Sequence, residues 1–389
     1  MTQRKIPALY MRGGTSKGVF FRAEDLPADA ARRDAILLRV IGSPDPYGKQ
    51  IDGMGGATSS TSKVVILSRS RQPGCDIDYL FGAGSIGSPV IDWSGSCGNL
   101  AAAVGPAAIH WGLLPAPRAG LATVRIWQVN TRSHIIAQVP MRDGEVVEEG
   151  GFRLDGVSFP GAEIALQFPD PGSDGEDAAT GLFPTGRPLD RLDIPGIGKL
   201  ELTLINAGNP AVFVDAAALG LRGDESQEQV NGDADLLARC EAVRAHAAVA
   251  MGLAASAQEA TDQRPATPKL AFVASPRDYR AADGRAVSAR DIDLNVRILS
   301  MGKLHHAMTG TGAVALAAAA AIPGTVVRRR AQPDAQGRLR FGHPSGTMTV
   351  SAEAEQRDGH WRVLYAGMSR SARRLMEGVV LVPERDLQP

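Results

Sequence analysis

Cys97 and Lys63 are the two residues whose surroundings best suit proton transfer. Cys97 stands in Ser94-Gly95-Ser96-Cys97-Gly98-Asn99-Leu100, just ahead of a run, Ala101 to Leu113, that carries no Asp, Glu, Lys or Arg. Ser and Gly before the cysteine and Gly-Asn after it suit a sharp loop-to-helix entry. A thiol there faces the positive end of the helix dipole and free backbone N–H groups, which favour a thiolate and also attract carboxylates. The competing reading is a small apolar residue packed where a helix begins. Lys63 closes the hydroxyl run Thr58-Ser59-Ser60-Thr61-Ser62 and opens the apolar stretch Val64-Val65-Ile66-Leu67. A partly desolvated lysine near helix dipoles can act as a base, and the hydroxyls could donate to carboxylate oxygens. Its competing reading is an edge lysine with its amine in water.

Other motifs carry less. Arg12-Gly13-Gly14-Thr15-Ser16-Lys17-Gly18 resembles an anion cradle, but no Gly-Lys-Ser/Thr closes it and no helix follows, so it is not a nucleotide loop. His305-His306 has no third ligand at a useful spacing, and the other histidines are scattered, so no metal site is expected. No Gly-x-Ser-x-Gly elbow or thiol-protease pattern supports acyl transfer. Cys240 falls at helical spacing with Leu236, Val243 and Ala247 and reads as core, and Cys75 lies in a turn beside Pro73 and Gly74.

These residues need elements to hold them. The chain has 389 residues, too many for one core, and 44% are hydrophobic, so two domains are expected. Lys plus Arg equals Asp plus Glu at 42 each, which argues against nucleic acid or a membrane surface as partner. Three cysteines build no disulfide framework, the N-terminus lacks an apolar signal region, and no apolar run reaches the length of a membrane span. A cytoplasmic protein is therefore expected. Strand, Gly-rich turn and strand are expected over 6–22 and a helix over 28–41. Further strands are expected at 64–67, 77–81, 123–128 and 134–139, with the helix after Cys97 among them. The breaker-rich run Pro169 to Asp177 reads as a loop or the approach to a domain boundary. Strands at 200–205 and 211–215, a helix over 233–252, a strand at 270–273 and a helix over 291–302 follow. An Ala-rich helix then runs to Ile322, before strands at 338–342, 347–352, 361–366 and 378–382.

One internal similarity stands out. With Cys97 aligned on Thr309, Gly98 meets Gly310, Ala101 meets Ala313, Ala103 meets Ala315, and Ala107-Ala108 meet Ala319-Ala320. If it is real, the chain is two related halves, each with a buried helix inside a wrap of strands. Two helix N-termini could then face one anionic ligand across a domain interface.

Several segments together resemble the PrpF family. They are Met11 to Phe21, Gly42-Ser43-Pro44-Asp45-Pro46, Ile51 to Ala57, Thr61-Ser62-Lys63, Asp78-Tyr79-Leu80-Phe81, Cys97-Gly98-Asn99-Leu100, Met301 to Met308 and Gly342 to Thr347. The resemblance runs nearly end to end. It implies an α+β, diaminopimelate-epimerase-like fold: two similar domains, each a β-barrel-like sheet around a central helix, with the site between them. On this reading residues 1–190 and 191–366 form the domains, and 367–389 could pack back on the first.

The same resemblance implies a cofactor-independent isomerase of 2-methylaconitate in the 2-methylcitrate route of propionate breakdown. Oxalomesaconate-type tautomerase and methylitaconate-type isomerase are the alternatives within the family. Outside it stands a non-catalytic accessory protein for an aconitase-like iron–sulfur dehydratase. Lys63 and Cys97 fall on the family's catalytic pair. Thr15, Ser16, Ser60, Ser62, Gly98, Asn99, Met308, Thr309, Gly310, Thr311 and Ser345 are the expected substrate-binding residues. A small tricarboxylate is the expected partner, no metal or cofactor is required, and a homodimer is left open. Two departures are visible. Diaminopimelate epimerases carry a second cysteine where this chain has Thr309, which disfavours two-thiol inversion of an α-carbon. Ser96 stands where the family pattern leads one to expect Asn.

Overall fold

The computed structural model describes residues 3–172 and 181–383. It holds six α-helices among the described residues: α1 (Ala30–Ile41), α2 (Gly98–His110), α3 (Gln227–Asn231), α4 (Ala234–Ala250), α5 (Ala257–Gln263) and α6 (Gly310–Ala321). The chain divides into two compact units. Among the described residues the first takes in 3–153, 159–166 and 370–383, and the second 154–158, 167–172 and 181–369. Residues 173–177 of the breaker-rich run lie outside the described residues.

In the first unit seven strands pair in the row Ala372–Pro383, Gln3–Gly13, Ser16–Arg22, Lys63–Arg69, Ile77–Gly84, Gly120–Gln128 and Ser133–Arg142. The joints are antiparallel, antiparallel, parallel, antiparallel, parallel and antiparallel. A parallel joint needs a crossover, and the two crossovers carry α1 and α2. Helix α2 touches strands near both ends of the row, including Ala372–Pro383 and Ser133–Arg142, so the sheet curls around it. From Gly98 to Ala108 every residue of α2 is buried, as expected of a helix that is apolar nearly all round. Helix α1 covers the other face. Its Ile36, Leu37, Val40 and Ile41 cluster with Val19, Phe21, Val64 and Ile66.

The second unit repeats the scheme. Its row is Asp190–Ile194, Gly198–Ala207, Asn209–Asp215, Lys269–Ala274, Leu294–Ser300, Arg338–His343 and Gly346–Arg357, with the same succession of joints. Strand His360–Arg370 then pairs antiparallel with Gly346–Arg357. Helix α6 takes the place of α2, buried from Gly310 to Ala320. Helix α4 covers the other face, where Leu236, Cys240, Val243 and Ala247 join Val212, Val214, Leu270 and Phe272. The alignment of Cys97 on Thr309 therefore matches a duplicated topology.

The helix expected over 291–302 is a correction. Residues Leu294–Ser300 form a strand, buried at every position. A strand covered on both faces loses the alternation that identifies strands and reads like a helix. Arg297 is buried within it because backbone carbonyls of Glu225, Val296 and Gly342 accept from its guanidinium. No helix among the described residues is long and apolar enough to cross a membrane.

Candidate active site

Lys63 is the first residue of its strand. Side chains alternate along a strand, and Val64 and Ile66 point to α1, so Lys63 points to the α2 face. It is 8% exposed. Its amine donates to the Ser16 hydroxyl at 3.2 Å and lies 3.1 Å from Cys97 Sγ. The ring of Phe81 lies 5.4 Å from Nζ and gives the amine an apolar wall.

Cys97 caps α2. Its backbone is extended, and its sulfur accepts from the Leu100 N–H at 3.4 Å, the role a Ser or Asp side chain plays at most helix starts. It is 5% exposed. The phenol of Tyr79 donates to its carbonyl at 3.0 Å. Burial, then the charge of Cys97, raises the Tyr79 phenol well above its ordinary range, so it remains a donor.

The turn Gly14-Thr15 packs on the first turn of α2. Gly14 has φ of +52°, and a Cβ there would sit 2.6 Å from Asn99 Oδ1, so both conformation and space require glycine. The Asn99 amide donates to Thr15 Oγ1 at 3.0 Å and accepts from Arg370 Nε at 2.9 Å. Lys63, Cys97, Ser16, Thr15, Gly98 and Asn99 are thus brought together, five of them on two chain segments and Lys63 from a third. The hydroxyl run divides. Ser60 is buried, with its carbonyl accepting from Lys17 N–H and its hydroxyl against that of Thr58. Ser62 donates to Gln50 Oε1 at 2.6 Å and braces the Gly53-Met54-Gly55-Gly56 loop rather than Lys63.

In the second unit, Thr309 caps α6 by accepting from the Gly312 N–H at 3.2 Å. Thr311 accepts from Asn209 Nδ2 at 3.0 Å. This repeats the Asn99–Thr15 bond with the partners exchanged: the amide here lies on the hairpin and the hydroxyl on the helix. Met308 and Gly310 are buried beside them, and Ser345 donates to the His306 carbonyl at 2.6 Å. His305 and His306 stand outside any helix, with rings stacked at 4.6 Å.

Two residues escaped the sequence reading. Arg370 signalled itself only as a charge at an inward position, since Ala366, Met368 and Arg370 alternate as buried residues. Lys269 opens the second unit's fourth strand and is buried there, but no motif surrounds it.

As a chemical device, the first unit offers a buried amine and thiol in contact, a helix N-terminus beside them, and hydroxyl donors around them. That arrangement can remove a proton from carbon, hold a carboxylate, and return the proton elsewhere.

Residues 3–383 match the family model described as PrpF protein. A 2-methyl-aconitate isomerase of Shewanella oneidensis is 57% identical over 389 residues, covering 98% of each chain. One from Cupriavidus necator is 57% identical over 388 residues, again covering 98% of each. Among solved structures, a methylitaconate-delta-isomerase matches with a TM-score of 0.77 and 37% identity, over 100% of this chain and 98% of that one. A probable proline racemase from Agrobacterium radiobacter K84 matches with a TM-score of 0.55 over 97% of this chain and 93% of its own. At 13% identity it speaks for the fold alone, the diaminopimelate-epimerase-like fold that the two helix-centred units form.

Proposed function

The chain belongs to the PrpF family of isomerases, and on that premise we propose that it isomerises 2-methylaconitate by proton abstraction and return. The observation that carries the reading is the 3.1 Å contact between Lys63 Nζ and Cys97 Sγ at the N-terminus of a buried helix. Hydrogens on carbon conjugated with a carboxylate are weakly acidic. Lys63 takes one, leaving a dienolate whose charge spreads onto that carboxylate. Rotation about the former double bond, followed by proton return, moves or inverts the double bond. Cys97 serves as the partner that relays the proton. Ser16, Thr15 and the backbone N–H groups at Gly98-Asn99 stabilise the developing negative charge.

The wider setting follows from the same reading. We place the reaction in the cytoplasm, in the 2-methylcitrate route of propionate breakdown, with an aconitase-like dehydratase supplying the unsaturated acid. The test is proton NMR of the purified protein with 2-methylaconitate in deuterated water. Conversion between isomers with deuterium entering the exchanging position is expected. An unchanged spectrum over hours would overturn the reading in favour of an accessory binding protein. Turnover of methylitaconate or oxalomesaconate in its place would move the substrate within the family.

A further inference from the structure

Arg370 is 1% exposed, among the largest fully buried side chains of the chain. A buried guanidinium is costly unless it is paired or hydrogen-bonded. Burial pulls its pKa down to about 10, and the charge of Cys97 opposes that fall. The attraction is mutual, so a cation held here favours the thiolate form of Cys97. Its Nε donates to Asn99 Oδ1, which leaves the Asn99 amide nitrogen to face Thr15 Oγ1. Its Cδ lies 3.0 Å from where a Cβ on Gly14 would stand, so the side chain packs directly beneath the turn that leads into Ser16. Ser16 in turn accepts from Lys63.

We propose that Arg370 is a positioning residue for the reaction: it fixes the Asn99 amide and the Thr15-Ser16 turn against α2, and holds a permanent positive charge at the helix end that Cys97 caps. The inference rests on the proposed role of Cys97 and Lys63, but one of its readouts does not depend on the substrate.

The test uses the full chain carrying Cys75→Ser, so that alkylation by iodoacetamide at pH 7 reports Cys97, with Cys240 buried in the core. Arg370→Gln keeps a donor and removes the charge. It is expected to slow alkylation about tenfold and to lower kcat at least tenfold, with KM within threefold. Arg370→Lys, which restores charge without the fork, is expected to recover most of the alkylation rate and only part of kcat. Wild-type alkylation with a folded Arg370→Gln protein would overturn the proposal, and so would a loss confined to KM. Should Arg370→Gln fail to fold, Asn99→Ala decides. It keeps the charge and cuts the tether, so kcat should fall about tenfold while alkylation stays within twofold; unchanged kcat would overturn the proposal. If the wild type alkylates rapidly at Cys97 yet turns over no 2-methylaconitate, the substrate assignment fails and the Arg370 assignment is judged on alkylation alone.

Discussion

Lys269 occupies in the second unit the position that Lys63 occupies in the first. Each is the first residue of the fourth strand in its row, that strand pairs in parallel with the third in both units, and each lysine is buried. Their partners differ. The Lys63 amine meets a thiol and the Ser16 hydroxyl, whereas the Lys269 amine donates to the Ala266 carbonyl at 3.0 Å and the Ser300 hydroxyl at 3.4 Å. The same fold position thus carries an amine beside a thiol in one unit and an amine tied to a backbone carbonyl and a hydroxyl in the other.

Lys63→Met should therefore abolish isomerisation, by at least a thousandfold in kcat, while circular dichroism and the unfolding midpoint stay close to those of the parent. Met keeps the length and apolar stem of the lysine. Normal turnover by this variant would remove Lys63 from the mechanism.

Cys97→Ser keeps a capping atom at the start of α2 but replaces a thiol by a far weaker acid. The expected outcome is a fall in kcat of about a hundredfold or more with KM changed less than severalfold, measured by steady-state kinetics. A change in KM alone would make Cys97 a binding residue.

Gly14→Ala should destabilise the fold by about 1–3 kcal/mol, read from urea unfolding. The new Cβ would force the Asn99 amide away from both Thr15 and Arg370, so turnover should fall with stability.

Alkaline stability reports Cys240. Burial pushes its thiol from about 9 to about 12, so the folded chain keeps the proton where the unfolded chain loses it. Its contribution is fully present below about pH 9 and is lost as pH rises from there towards 12. Between pH 9 and pH 11, Cys240→Ala should lose roughly 2–3 kcal/mol less stability than the parent, whatever its offset at pH 8. Parallel losses in the two proteins would contradict the shift.

Much of this was legible in the sequence because the informative features are local. Ser-Gly-Ser before Cys97 and the Ala-rich run after it announce a capped, buried helix, and the match to Thr309 announces its repeat. The seven-strand row was not legible, because its parallel joints bring together residues such as Val19 and Val64 across a long excursion. Nor was the burial of Arg370, whose value lies in an amide 271 residues away. Leu294–Ser300 was misread because full burial on both faces erases the period that separates strand from helix.

The Gly14 N–H donates to the Ser371 carbonyl at 2.9 Å, and Arg12 reaches the same carbonyl across 359 residues. The turn that carries Ser16 is therefore held by one of the last segments of the chain to be synthesised. A nascent chain that has already made Lys63 and Cys97 still lacks the strand that closes their surroundings. On the proposed reading of Lys63 and Cys97, their surroundings are complete only once translation has passed Arg370 and Ser371.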